Sequence, residues 1–161
     1  MKCIAGFRWR LIALVVLCGF PASARAKGTT WSKFKGKVVV SSQPFVDATT
    51  EQAFTKTIAR AARTRTVESK DGRWNFHFIA FLKSAPGSSK LNLVWYRLGK
   101  KRPEQVDYTE FVVPPAGKTL QAQAEISAAQ GFRRGDRVEV RLTRVIAGRE
   151  KIYASARLAL H

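Results

Sequence analysis

After Cys18 the chain has no cysteine. Residues 27–161 can therefore form no disulfide, offer no thiol nucleophile and give no sulfur ligand to a metal. Histidine is almost as scarce: His77 and the terminal His161 are the only two. A lone imidazole in the middle of an apolar stretch, with no carboxylate at ligand spacing, points to a hydrogen-bonded structural residue rather than to a metal ligand or a general base. No Gly-x-Ser-x-Gly elbow, phosphate loop or dinucleotide fingerprint is present, so no cofactor is expected. Acids number 11 among 161 residues, mostly beside turns or on polar faces. Paired carboxylates for glycosidic cleavage meet only in three dimensions, which leaves a hydrolase as the least favoured reading.

Long apolar runs are also missing. The longest, Leu-Ile-Ala-Leu-Val-Val-Leu-Cys-Gly-Phe at 11–20, is about half the ~20 residues a spanning helix needs. Lys2, Arg8 and Arg10 precede it, Pro21 breaks it, and Ala24-Arg25-Ala26 follows with small-x-small spacing. Together these read as an export signal over 1–26 cleaved after Ala26, against the rival reading of a membrane anchor. Val-Leu-Cys lacks the small residue a lipidated cysteine requires before it. Cleavage leaves 135 residues, enough for one domain with its own core. A cysteine-free exported domain suits the periplasm or outer surface of a bacterium better than an animal extracellular space, where small domains are stapled by disulfides.

What the rest does contain is a two-residue rhythm. Short apolar segments alternate with turn signals at 37–42, 73–83, 91–98, 106–113, 119–126, 137–146 and 150–160, with 64–69 as a possible eighth, joined to 73–83 by Asp71-Gly72. Leu120, Ala122, Ala124 and Ile126 share one face, and Gln121, Gln123 and Glu125 the other. This predicts an all-β, antiparallel sandwich of seven or eight strands with one face of each sheet in water. Matching apolar faces puts Leu142 opposite Ala154, Val140 opposite Ala156 and Glu139 opposite Arg157, with Tyr153 on the wet face. That parity calls for a three-residue turn at Ala147-Gly148-Arg149. One segment has helical spacing: Thr49 as cap with Gln52, then Ala53, Phe54, Thr57, Ile58 and Ala61 on one stripe and Lys56, Arg60 and Arg63 opposite. The spacing predicts a short helix near 50–63 covering the second apolar face of 73–83, which carries Ile79 and Phe81.

The stretch Gly131-Phe-Arg-Arg-Gly-Asp-Arg-Val-Glu-Val-Arg-Leu142 and the hairpin after it resemble the last two strands of an immunoglobulin-like β-sandwich. A corner tyrosine often found there is absent. Arg73-Trp-Asn-Phe-His-Phe-Ile-Ala-Phe-Leu82, followed by Ser-Ala-Pro-Gly, resembles exported sandwich proteins of myxobacteria over about half of the chain. Neither resemblance implies an activity.

Charge is strongly one-sided: 29 Lys and Arg face 11 Asp and Glu. Losing Lys2, Arg8, Arg10 and Arg25 with the leader leaves 25 cations against 11 acids, a net +14. Such a field favours anionic partners: lipid head groups, acidic polysaccharide, DNA or an acidic protein. The alternative is an arginine-rich background of solvated charges. Alternate loops of a sandwich share an end, so Lys100, Lys101 and Arg102 are expected to meet Arg133, Arg134 and Arg137 in one basic end. The other end would hold one cation per loop: Lys90, Lys118 and Arg149. Trp74, Trp95, Tyr96 and Tyr108 lie in strands, where large aromatics are more often core than stacking platforms for nucleic acid. Trp31, among cations before the first strand, is expected to close an end of the sandwich, with contact to a membrane interface as the alternative. Arg134-Gly135-Asp136 reads as turn chemistry rather than a receptor signal, because Gly and Asp are turn formers at the start of a strand.

The sequence thus implies an exported, non-catalytic binding module, or a structural subunit of an envelope assembly.

Overall fold

The structure, a computed structural model, describes residues 29–45, 50–63, 66–99 and 102–161. The leader at 1–26, and Thr49, Thr64, Lys100 and Lys101, lie outside the described residues. Among the described residues, eight strands form two packed sheets. In one, β1 (Val38–Ser41), β3 (Arg73–Phe81) and β6 (Thr119–Ser127) lie in the order β1-β3-β6. The other runs β2-β8-β7-β4-β5, from β2 (Thr66–Val67), β8 (Arg149–Leu160), β7 (Arg137–Ile146), β4 (Lys90–Arg97) and β5 (Glu104–Val112). The orders β1-β3-β6 and β8-β7-β4-β5 follow the A-B-E and G-F-C-C′ arrangement of an immunoglobulin-like sandwich.

The sheets face each other because their inward rows are large and apolar. Phe76 and Phe78 from β3 meet Trp95 from β4 and Phe111 from β5 edge-on, with ring centroids 5.3 Å apart for Phe76–Trp95 and 5.6 Å for Phe78–Phe111. All four rings are at most 2 % exposed, so each stabilises the fold by roughly 1.5–3 kcal/mol through burial. Trp74, also buried, satisfies its indole N–H on the His161 carbonyl oxygen at 3.1 Å.

The outer face of β3 is apolar as well, and two helices cover it. Ile79 and Phe81 join Val39, Phe45, Phe34 of α1 (Thr29–Phe34) and Ile58 of α2 (Glu51–Ala61) in a second core. The helix over the second face of β3 is as expected, with its cap displaced by one: Thr50, not Thr49, accepts from the Ala53 N–H at 3.2 Å. Its buried stripe is also rotated, since Ala53 and Thr57 are exposed while Ala62 packs on the core. The second helix, α1, stands just ahead of the first strand. The Thr30 hydroxyl meets that of Thr55, joining the two helices.

Three further expectations are corrected. The β2 segment pairs with β8, and in parallel, so the sandwich is not wholly antiparallel. Asp71-Gly72 does make a tight turn, both residues having positive φ, but its ladder stops at the single bridge Lys70–Arg73. The last hairpin keeps the expected register, with Leu142 opposite Ala154, Val140 opposite Ala156 and Glu139 opposite Arg157. Its turn is nonetheless the two-residue Ala147-Gly148, with φ of 49° and 74°, between Ile146 and Arg149. A bulge reconciles the two: Thr143 pairs with Ile152 and Leu142 with Ala154, leaving Tyr153 as the extra residue. The bulge turns Tyr153 from the wet face into the core, where it is 1 % exposed.

Candidate functional site

The end of the sandwich carrying the 127–136 loop is built on Arg97, the last residue of β4. Its Nε donates to Asp136 Oδ2 at 3.2 Å, its Nη1 to Glu104 Oε2 at 3.3 Å, and its Nη2 to the Gly131 carbonyl oxygen. One guanidinium thereby ties the β4–β5 hairpin to the loop before β7. Phe132, 1 % exposed, packs edge-on against Trp95 at 6.0 Å and pins the same loop from within. The N–H of Leu98 donates to the Arg137 carbonyl oxygen at 2.7 Å. The flanks of 99–103 and the 133–137 segment are therefore neighbours. Arg102, Arg133, Arg134 and Arg137 are all exposed at this end; Lys100 and Lys101 lie outside the described residues.

Arg134-Gly135-Asp136 is occupied by its own turn. The Asp136 N–H donates to the Arg133 carbonyl oxygen at 3.1 Å, and Gly135 has φ of 85°, the left-handed value a type II turn reserves for glycine. Asp136 Oδ2 accepts from the Arg133 N–H at 2.9 Å as well as from Arg97, and the Arg134 Nε donates to Ser69 Oγ at 2.9 Å. Acids are close by: Glu104 and Asp136 pair with Arg97, and Gln130 Nε2 donates to Asp107.

The opposite end is more basic than one cation per loop. Lys35 and Lys118 place their ammoniums 5.0 and 5.1 Å from the ring centroid of Trp31, and Lys33 and Lys37 each stand 5.8 Å from that of Phe34. Backbone hydrogen bonds bring the carriers together: the Gly36 N–H donates to Phe81 O at 2.6 Å and the Leu82 N–H to Lys118 O at 2.8 Å. Lys83, next along, lays its stem over Gly36, where an added Cβ would stand 2.9 Å from Cε. Gly36 has φ of 78°, so the backbone there favours glycine. Trp31 is half-buried and donates its indole N–H to the Leu82 carbonyl oxygen at 3.1 Å. Among the described residues, no ion pair engages Lys35, Lys37, Lys83 or Lys118. The missed signal was the alternation Trp-Ser-Lys-Phe-Lys-Gly-Lys at 31–37, together with lysines at the end of β3 and the start of β6.

On the outer face of the five-stranded sheet, Arg141 stacks on Tyr96 at 4.3 Å from the ring centroid and pairs with Glu139 at 3.0 Å and Glu150 at 3.5 Å. Glu139 thus turns to Arg141 rather than to the facing Arg157. The Glu139 hydrogen bond, foremost, holds the Arg141 guanidinium above its already high ordinary value. Burial first, and then the Glu150 carboxylate, push the Tyr96 hydroxyl above the usual tyrosine value.

His77 sits on the outer face of β3 between Ser41 and Gln123, partly exposed. Among the described residues, no three His, Cys, Asp or Glu side chains gather as a metal ion would need, and no helix is long and apolar enough to cross a membrane. Compared with known protein families, curated proteins and solved structures, the chain matches none.

Proposed function

We propose that the chain is an exported, non-catalytic binding module whose exposed cations meet an anionic component of a bacterial envelope, in the periplasm or outside. The observation that carries this reading is how the acids are spent. Glu104 and Asp136 are paired on Arg97, Glu139 and Glu150 on Arg141, and Glu110 on Lys90. Among the described residues, no ion pair engages Arg102, Arg133, Arg134 or Arg137 at one end, or Lys35, Lys37, Lys83 or Lys118 at the other, which leaves a surface suited to displacing counterions from an anion.

The reading is tested by retention of the chain on heparin and on duplex DNA across a salt gradient. The expected result is strong retention that falls linearly with the logarithm of salt concentration. Flow-through at low salt overturns it. A second chain with Lys100, Lys101, Arg102, Arg133, Arg134 and Arg137 changed to serine shows whether the arginine end contributes: elution at unchanged salt makes that end incidental.

A second reading, a structural subunit of an envelope assembly, is favoured by the free outer edges of β5 and β6, each nine residues long. Co-purification with one protein that survives high salt would support it.

A further inference from the structure

We infer that the lysine end, built from Trp31, Lys35, Lys37, Lys83 and Lys118, docks the protein onto a bilayer bearing anionic phospholipid. This rests on the proposed anion-binding function and assigns it a place and an occupant. Three features of the end favour a lipid surface. First, the cations gathered around Trp31 and Gly36 are all lysines. An ammonium is a compact, strongly hydrated charge without a fixed fork, suited to diffuse attraction to a charged surface rather than to bidentate recognition of individual phosphates. The other end, by contrast, is dominated by arginine with acids interspersed. Second, the stems lie along the chain while the heads reach water, as Lys83 does across Gly36. Lysines arranged in this way carry their charge outward over an apolar base, here Trp31 and Phe34. Third, the half-buried Trp31 ring has two ammoniums within 5.1 Å of its centroid and its polar N–H already satisfied by Leu82. An indole of that kind suits the level of lipid head groups.

The test compares the full chain with two variants of equal net charge. One is Lys35→Gln/Lys37→Gln/Lys118→Gln. The other is Arg60→Gln/Arg63→Gln/Arg157→Gln, exposed positions that belong to neither cation cluster. Each is sedimented with vesicles of phosphatidylcholine alone and with vesicles that also contain phosphatidylglycerol, and each is mixed with duplex DNA. The quantity read is the gain in partitioning that phosphatidylglycerol brings. The gain is expected to be lost at high salt, to fall about 100-fold in the lysine variant and to hold in the arginine variant. In a chain that also carries Trp9→Phe, Trp31 emission should shift to the blue on binding, since Trp74 and Trp95 are each only 1 % exposed in the free protein. Equal losses in both variants make the binding a net-charge effect and overturn the inference. Binding to DNA without any gain from phosphatidylglycerol overturns the bilayer as occupant while leaving anion binding intact. Failure to bind vesicles, DNA or heparin overturns both. Matching thermal midpoints of the three chains keep a folding defect from counting as either result.

Discussion

The Tyr153 hydroxyl donates to the Pro86 carbonyl oxygen at 3.2 Å, and the same oxygen accepts from Arg144 Nη1 at 3.1 Å. The bulge in β8 aims Tyr153 at that loop, so one extra residue in the strand ties the last hairpin to the 84–89 turn. Tyr153→Phe keeps the ring and removes the donor. It is expected to cost about 1 kcal/mol, because Pro86 retains Arg144. Denaturant unfolding with an unchanged slope checks this.

Arg97 and Asp136 are the two partners that hold the arginine end in shape, with side chains 28 % and 16 % exposed. Arg97→Gln strands a mostly buried carboxylate and is expected to cost about 2 kcal/mol. Adding Asp136→Asn should recover part of that loss. A double-mutant cycle measures the coupling, and strict additivity would remove Arg97 from its tying role.

Ala147 carries a φ of 49° in a two-residue turn that favours Asn followed by Gly. Its methyl group is strained there without packing on anything, since the residue is exposed. Ala147→Asn is expected to raise stability by about 0.5–1 kcal/mol, read as a higher unfolding midpoint.

The raised ionisation of Tyr96 gives a pH dependence of definite sign. The group is neutral when protonated, and folding holds its proton above the ordinary value of 10.0. Its contribution is therefore fully present below pH 10, the unfolded value, and is lost as pH rises through the higher folded one. Unfolding measured below and above pH 10 should show this loss, and Tyr96→Phe should make the alkaline decline shallower.

Most of the sandwich was legible because alternation is local. Thr119–Ile126 and Val138–Leu142 each show their wet and dry faces within a few residues, and the matching of those faces fixed Leu142 opposite Ala154. The turn was not legible, because parity between Leu142 and Ala154 can be met either by an odd loop or by a bulge. Tyr153 reads equally well as an exposed aromatic or a buried one until Pro86 is seen to need a donor. The arginine end could be read from two loops in alternation. The lysine end could not, since Lys35, Lys37, Lys83 and Lys118 flank three strands, β1, β3 and β6, that only their pairing in one sheet brings together.

The two sheets are not equivalent. The five-stranded sheet leaves Tyr108, Val112 and Val145 in water on its outer side, whereas β3 has apolar side chains under cover on both sides, between the opposite sheet and the two helices. Its backbone also has partners along both flanks, β1 and β6. The amide hydrogens of Phe76 to Phe81 should accordingly be the last to trade with deuterium, for no local opening frees them without dismantling both cores.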